Sequence, residues 1–325
     1  SPAAGTGLSS HELNQPGCYR NVKDRTAVAM FKLANGEERK LPVDINKNSY
    51  PNGGVYFMAW TTTPWTLPSN TALAIGKNIV YSIIKTFHPF PPKGKERDEI
   101  WVIIAKDLVG KYFSEKNSSL SFEENKIGDK QIPYEIVKEI NSNEIEHLRY
   151  DQLLPFAQPN DGDAFRVVLG DFVTTEDGTG IVHIAPSFGA DDFKVAKQNG
   201  IGSLTLVDKR GKFLPEVKDD IFLYGDEYVK EAYLSDEEKK TEFERQKKIL
   251  ETNGKIKELK NYLSVDERIV LKLQEEGKLF KKENYEHSYP HCWRTDKPVL
   301  YYPLDSWFIK TTAMKERMIE LNRSE

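Results

Sequence analysis

The chain has 325 residues, of which 38% are apolar and 30% charged, and its formal net charge is −4. This length can bury a sizeable core as one large domain or two modest ones, and the composition is that of an ordinary globular protein. No apolar run approaches the roughly 20 residues that a membrane-spanning helix needs. The first ten residues also lack the basic flank and apolar core of a secretory signal. We therefore expect no membrane partner.

The two cysteines, Cys18 and Cys292, are far apart and neither belongs to a CxxC pair. This spacing excludes a disulfide framework and a four-cysteine zinc site, so a cytoplasmic location is expected. The slight acidic excess argues against a protein that coats nucleic acid without specificity. It is compatible with a protein that binds a single RNA end in a shaped pocket.

Short apolar runs bounded by Gly, Pro and Asn dominate the chain and predict a β-rich fold. Residues 1–54 are turn-rich, with one predicted strand at 27–33. The further predicted strands are residues 55–60, 79–87, 100–105, 165–173, 181–185 and 203–208. Residues 89–99 are polar and proline-rich, which is typical of a surface loop.

Helical signals are fewer. Residues 191–199 begin with two acids and precede Gly200, as expected for a short helix. Two later segments have the Ser-x-x-Glu spacing of a capping box, Ser235 with Glu238 and Ser264 with Glu267. Residues 209–282 contain 18 Lys and Arg against 17 Asp and Glu, so we interpret them as a solvated helical insertion and not as a basic binding face.

These patterns predict a β-rich α/β fold, a closed or partly closed barrel with peripheral helices. We divide it into an N-terminal connecting segment (1–54), a core with the helical insertion (55–286) and a C-terminal segment (287–325). The tail begins as an aromatic strand at 307–309, becomes helix-like at 313–321 and stops without a cap. That ending favours a piece of a longer polypeptide over an ordinary frayed terminus.

The first candidate for chemistry is residues 60–70, WTTTPWTLPSN. Pro64 removes a backbone donor and fixes φ, so a central strand cannot continue past Thr63. Threonine hydroxyls at a strand end can both donate and accept hydrogen bonds, which suits a ribose hydroxyl, a water or an ester carbonyl. The alternative is a strand edge in which threonine was selected for β-propensity.

The second candidate is residues 176–193, in which a Gly-rich turn leads into a short strand and then into a helix. His183 lies on the strand, and Asp191 and Asp192 open the helix. A carboxylate here could bind a substrate ammonium group while His183 shapes the pocket. As alternatives, the acids could serve the helix dipole and the histidine could be structural. Gly178 and Gly180 alone are a weak phosphate signal.

A third cluster, residues 287–294, contains His287, His291 and Cys292. It raises the alternatives of a metal site and a thiol nucleophile. No second cysteine or paired histidine lies at zinc spacing, so we expect no metal. A buried structural cysteine is the common case, so we expect no catalytic thiol.

Three segments resemble the isoleucyl-tRNA synthetase editing domain, the connective insertion called CP1. Residues 60–70 resemble its threonine-rich signature, and residues 178–193, GTGIVHIAPSFGADDF, resemble its second signature. Residues 289–308 resemble the strand that returns to the catalytic body. The related valyl and leucyl domains tend to have Thr-Thr-Arg-Pro in the first segment and to lack the His-x-Ala-Pro of residues 183–186. The resemblance covers most of residues 10–322.

The resemblance implies a barrel-like editing domain of the class I Ile/Val/Leu synthetases that deacylates Val-tRNA(Ile); whether valyl-adenylate is also hydrolysed stays open. It implies that Asp192 binds the α-ammonium of the valyl group and that His183 walls out isoleucine. Thr61, Thr62 and Thr63 would then surround the ester, the terminal ribose and the attacking water. The remaining implied substrate-binding residues are Trp60, Trp65, Asn70, Tyr289 and Asp191, with Asn70 supporting the loop.

The chain departs from the family pattern in two ways. Many members have a second cysteine where this chain has Thr295, so we expect no zinc. The two ATP-handling signatures of the synthetases do not occur, so no cofactor is expected and amino-acid activation is left to the rest of a synthetase. The implied partners are the 3′ end of tRNA(Ile) carrying valine and the remaining synthetase. The competing interpretations are an RNA-binding module without activity and a hydrolase that depends on Cys292 or a metal.

Overall fold

The computed structural model describes residues 1–45, 53–91, 98–304, 307 and 309–323. The strands are β1 (Tyr19–Lys32), β2 (Val55–Thr61), β3 (Ala72–Ile75), β4 (Val80–Phe87), β5 (Glu99–Ala105), β6 (Tyr134–Asn141), β7 (Arg166–Leu169), β8 (Ile181–Ile184) and β9 (Leu279–Pro290). The α-helices are α1 (Ser10–Leu13), α2 (Val109–Tyr112), α3 (Ala190–Gln198), α4 (Asp236–Thr252), α5 (Val265–Glu275) and α6 (Lys315–Arg323). Single 3₁₀ turns are Pro2–Ala4, Glu37–Lys40, Pro64–Ser69, Lys106–Leu108, Glu115–Ser119, Ser142–Glu144, Glu231–Tyr233 and Thr311–Met314.

The larger sheet has six strands in the order β6-β4-β5-β2-β1-β9. All neighbouring strands are antiparallel except β2 and β5, which are parallel. The central strands are buried almost throughout, because both faces of the sheet are covered and their sequences are rich in Ile, Val and Phe. The long strand β1 pairs with β2 through its second half and with β9 along most of its length.

The smaller sheet has three strands in the order β7-β3-β8, with β3 parallel to β7 and antiparallel to β8. It meets the larger sheet beside β5, where the backbone N–H of Ala105 donates to the carbonyl oxygen of Thr179 at 3.0 Å. Gly180 has a φ of +71°, and a Cβ there would lie 2.3 Å from the Cβ of Ala105. The glycine is therefore required for this close approach of the two sheets.

Helix α5 attaches the later part of the chain to the main core. Its N-terminus has the predicted capping box, in which Ser264 and Glu267 bond to each other's backbone N–H. The apolar side chains of α5 that face the core, Val265, Ile269, Val270 and Leu273, are buried. Arg268 on the same helix is completely buried and bonds to the carboxylate of Glu227 and to the carbonyl oxygen of Phe222. A charge taken this far from water needs such pairing.

The predicted fold class is confirmed: the chain is a β-rich α/β protein with peripheral helices. In the described residues the strand pairings form two sheets and do not by themselves close a barrel. Residues 203–208, predicted as a strand, contribute only an isolated bridge between Val207 and Phe213. Residues 305, 306 and 308 lie outside the described residues, and Trp307 and Ile309 are exposed and belong to no strand.

The surface loop predicted at 89–99 lies partly outside the described residues, and its last residue already belongs to β5. The predicted strand at 27–33 is longer in the structure, because β1 begins at Tyr19. Over the described ranges, the helices are too short or too polar to pass through a bilayer.

Candidate active site

The threonine-rich segment leaves the large sheet at the end of β2. Thr61 is the last residue of the strand, and the 3₁₀ turn Pro64–Ser69 follows directly. The backbone N–H of Thr63 donates to Oγ1 of Thr61 at 3.1 Å, and the two hydroxyl oxygens lie 3.5 Å apart. The strand ends because Pro64 cannot donate to a ladder, as the sequence predicts. Thr62 and Thr63 consequently keep exposed surface at the end of the strand.

Strand β3 brings the second signature to this segment. It begins at Ala72, after the 3₁₀ turn and the connecting residues Asn70 and Thr71, and pairs with β8 so that Leu73 lies opposite His183. The backbone N–H of Thr71 also donates to the carbonyl oxygen of Ile184 at 2.9 Å. Two segments more than a hundred positions apart in sequence therefore become neighbours.

Between them lies a cleft with a volume of about 410 Å³. Such a volume is within the range of about 300–1,000 Å³ that is usual for small-molecule sites. Six predicted site residues line it: Trp60, Thr61, Thr62, Thr63, His183 and Asp192. The threonines and Asp192, which the family resemblance assigns to one substrate, therefore line the same cleft.

Asp192 occupies the first turn of α3, at the edge of the cleft. Its Oδ2 accepts a hydrogen bond from the backbone N–H of Ala185 at 2.8 Å. Burial is the main cause that raises the pKa of Asp192 from its ordinary value of 3.8 to about 6, and the neighbouring charge of Asp191 adds to this. In the described part of the chain, no ion pair involves Asp192. A partly buried carboxylate without a cation is suited to bind one.

His183 is buried in β8 and contacts the threonine segment through its ring. Its Nε2 lies 3.0 Å from Oγ1 of Thr66, and that hydroxyl donates its proton to the carbonyl oxygen of Thr63 at 2.8 Å. The hydroxyl must therefore accept from Nε2–H, which leaves Nδ1 as the bare acceptor of a neutral ring. Burial lowers the pKa of His183 to about 4, so the ring is uncharged at neutral pH. Nδ1 has no hydrogen-bond partner among the described residues.

No family model matches the chain. Similar curated proteins are the isoleucine–tRNA ligases of Cytophaga hutchinsonii (56% identical over 334 residues, 100% of this chain), Bacteroides fragilis (46% over 349 residues, 100%) and Clostridium tetani (39% over 321 residues, 99%). The chain belongs to the isoleucine–tRNA ligase family. It spans about a quarter of the length of these relatives: 27%, 27% and 23% respectively.

The solved structures similar to this chain include two leucyl-tRNA synthetase editing domains. That of the P. knowlesi cytosolic enzyme is 13% identical with a TM-score of 0.43, and the alignment covers 82% of this chain and 97% of that one. That of the P. falciparum cytosolic enzyme is 11% identical with a TM-score of 0.41, covering 78% and 87%.

Four of the predicted substrate-binding residues do not line the cleft. The side chain of Asn70 is buried and is hydrogen-bonded within the protein. Its Nδ2 donates to the carbonyl oxygen of Ala72 at 2.8 Å, and its Oδ1 accepts from the hydroxyl of Tyr150 at 2.7 Å. Asn70 thus supports the loop and has no surface for a substrate. Trp65 is also buried, with its ring against that of Phe188.

The side chains of Tyr289 and Asp191 lie outside the cleft because of where β9 and α3 place them. Tyr289 lies on β9 opposite Arg20, at the far side of β1 from β2, and its ring lies under the ammonium group of Lys230 at 5.2 Å. Asp191 is exposed on α3 and points its charge to solvent beside Asp192. Direct contact with a substrate in the cleft is therefore assigned to neither residue.

Other residues complete the cleft without having been predicted. Thr66 and Phe188 lie inside the two recognised signatures, and their positions next to predicted residues were the available signal. The loop that precedes β8 also lines the cleft: Glu176 lies in the second candidate segment, whereas Phe172 and Thr174 lie before it. No sequence pattern marks Phe172 and Thr174 as site residues, since they acquire their place only when β7 and β8 flank β3.

Cys292 does not line the cleft, and its thiol is completely buried. A thiol without exposed surface cannot attack a substrate in this conformation. Across the ranges that the structure describes, no group of three or more His, Cys, Asp or Glu side chains could hold a metal ion.

Proposed function

We propose that this chain is an editing domain, a hydrolase that removes valine from mischarged Val-tRNA(Ile). The observation that carries the proposal is the single cleft lined by Thr61, Thr62, Thr63 and Asp192. An aminoacyl ester presents an ammonium group, a carbonyl and a ribose within a few ångströms of one another. The cleft places the Asp192 carboxylate and several threonine hydroxyls on one lining, together with Glu176 and with Asp177, which is paired with Lys111.

Asp192 is the anchor for the α-ammonium group. Its pKa of about 6 leaves it mostly ionised at neutral pH, and a bound ammonium lowers that pKa further by direct attraction. The carboxylate keeps one oxygen on the backbone N–H of Ala185, which fixes its direction. A charge-assisted hydrogen bond of this kind contributes about 1.5–3 kcal/mol.

The threonine hydroxyls orient the ester and the attacking water. The water oxygen attacks the ester carbonyl carbon, the bond from that carbon to the ribose oxygen breaks, and the proton passes to the ribose oxygen. Valine and tRNA with a free terminal hydroxyl result. Hydroxyls such as those of Thr61 and Thr63, 3.5 Å apart, can donate to the carbonyl oxygen and accept from the water. Because the ester is already activated, positioning supplies much of the rate and no cofactor takes part.

His183 acts as the wall that excludes isoleucine. It is held by Thr66 and cannot swing aside without breaking that hydrogen bond. With a pKa of about 4 it is a poor general base, and its Nδ1 is buried, so its role here is steric. One methylene gives only about 1–3 kcal/mol of discrimination in a synthetic site, for which isoleucyl-tRNA synthetase is itself the established example. A second, smaller site supplies the remainder.

The partners that follow are the 3′ end of tRNA(Ile) and the rest of the synthetase. The net charge of −4 supplies little general attraction for RNA, so most tRNA contacts would come from outside this segment.

The test is a deacylation assay with Val-tRNA(Ile) and Ile-tRNA(Ile). The parent chain is expected to hydrolyse the valyl ester faster than the isoleucyl ester. Asp192→Ala should lose about 10- to 100-fold in rate, the equivalent of one charge-assisted hydrogen bond. Asp191→Asn, an exposed neighbour outside the cleft, is the matched control and should keep the parent rate. Binding of tRNA by the parent chain without any turnover would instead support an RNA-binding module.

A further inference from the structure

The 3₁₀ turn that presents the threonines begins with an uncapped backbone donor. Thr63 stands at its N-cap position but makes no side-chain cap bond, and Pro64 has no N–H. The first N–H that needs a partner is therefore that of Trp65. It donates to Oδ1 of Asp266 at 2.8 Å, on an element 201 positions further along the chain.

Asp266, which accepts the hydrogen bond from Trp65, is a buried carboxylate. It lies in the first turn of α5 with only 4% of its surface exposed. Its second oxygen, Oδ2, lies 3.3 Å from Nζ of Lys230, which also approaches Oδ2 of Asp24 at 3.2 Å. The ammonium group thus offsets the cost of burying the carboxylate. None of these three side chains lines the cleft.

Trp65 connects this pair to both walls of the cleft. Its ring packs edge-on against Phe188, with the ring centroids 5.0 Å apart, and Phe188 lines the cleft. The next residue, Thr66, bonds through its N–H and its hydroxyl to the carbonyl oxygen of Thr63, and its hydroxyl also contacts His183. A shift of the Trp65 backbone therefore moves Thr63 and Phe188 relative to Asp192.

We propose that Asp266 is a positioning residue for the editing reaction, and that Lys230 is its counter-charge. The carboxylate replaces the missing N-cap of the turn Pro64–Ser69 and so fixes the register of the threonines against Asp192. The proposal rests on the proposed function. A purely structural role would be different: Asp266 would stabilise the start of α5, like any acid in a first helical turn, and the chemistry would be unaffected once the chain is folded.

The experiment compares four variants of this chain by steady-state deacylation of Val-tRNA(Ile) and by hydrogen exchange of peptides covering residues 61–70. Asp266→Ala removes the acceptor. Asp266→Asn combined with Lys230→Met keeps an acceptor oxygen and removes both charges together. Lys230→Met alone leaves Asp266 without its counter-charge. Glu267→Ala is the matched control, since it breaks the capping box of the same helix but bonds to Ser264 and not to the threonine segment.

For Asp266→Ala we expect kcat to fall by about 10- to 100-fold with little change in KM, because a misplacement of about 1 Å has effects of that order. Exchange at residues 61–70 should be faster in the same variant. The double variant should stay within about threefold of the parent, since replacing both members of a buried pair is often neutral. Lys230→Met alone should lie between these two. Glu267→Ala should be less stable than the parent and unchanged in kcat and in exchange at 61–70.

A folded Asp266→Ala chain with the parent kcat would overturn the proposal, and so would one with parent exchange at residues 61–70. A loss of kcat in Glu267→Ala equal to that in Asp266→Ala would also overturn it, because helix stability would then account for both. A parent chain that fails to deacylate Val-tRNA(Ile) refutes the proposed function instead, and the exchange data then decide whether Asp266 holds the turn.

Discussion

Replacing Asp192 by asparagine should make the protein more stable at neutral pH while lowering its rate of deacylation by about 10- to 100-fold. The amide is isosteric with the carboxylate, and its oxygen can still accept from the N–H of Ala185. Only the charge is lost. Because burial raises the pKa of Asp192, ionising this group in the folded protein is unfavourable. The free energy needed to ionise this carboxylate lowers the stability of the parent chain at neutral pH. The neutral side chain of Asp192→Asn does not have this effect.

The size of the effect follows from the shift in pKa. The folded value is about 6 and the ordinary value is 3.8. The folded protein therefore holds the proton more tightly than the unfolded chain, and its stability falls as the pH rises from 4 to 6. At about 1.4 kcal/mol for each pKa unit, the loss at pH 7 is at most about 3 kcal/mol, since the side chain keeps some contact with solvent.

The assay is urea denaturation of the parent and of Asp192→Asn between pH 4 and pH 7. The difference in unfolding free energy should shift in favour of the variant by up to about 3 kcal/mol across this range, with the change centred between pH 4 and pH 6. Groups common to both chains cancel in the difference. A difference that does not vary with pH, or that shifts in favour of the parent, would refute the reasoning.

Three further predictions concern other residues. His183→Ala should raise the rate of Ile-tRNA(Ile) deacylation by about 10-fold or more, because the wall of the cleft is removed; an unchanged rate in the same assay means that His183 is not the size filter. Cys292→Ser, assayed with a chelator present, should deacylate Val-tRNA(Ile) at the parent rate, since the thiol is buried outside the cleft; abolished activity would favour a thiol or metal mechanism. Glu227→Ala should lower the unfolding free energy by about 3–5 kcal/mol, because Arg268 is left as a buried charge without its carboxylate; a loss below about 1 kcal/mol in urea denaturation would contradict that view of the pair.

Features that depend on local chemistry could be predicted from the sequence. The capping boxes at Ser235 and Ser264 are present, because the hydrogen bonds between the Ser and Glu of a Ser-x-x-Glu segment all lie within four residues. The end of β2 before Pro64 has the same origin, since proline acts on its own backbone. The predicted lining of the cleft by Thr61–Thr63, His183 and Asp192 came from the family resemblance, and the structure brings these side chains together.

Features that depend on distant pairing could not be predicted. Strand β3 is only four residues long, and the sequence does not predict it. It is nevertheless the element that joins the threonine-rich segment to the segment that contains His183 and Asp192. Trp65 and Asn70 were assigned to the substrate because they lie in the threonine-rich segment. Their burial is decided by Phe188, Asp266 and Tyr150, which lie between 80 and 201 positions away. No local pattern contains that information.

The most direct test of the account is a crystal structure of this chain with a non-hydrolysable amide analogue of valyl-adenosine. The account predicts that the ammonium nitrogen lies within about 3 Å of the Asp192 carboxylate, with the carbonyl oxygen against the hydroxyls of Thr61–Thr63 and the valyl side chain against His183. An analogue bound with its ammonium group away from Asp192, or bound outside this cleft, would contradict it.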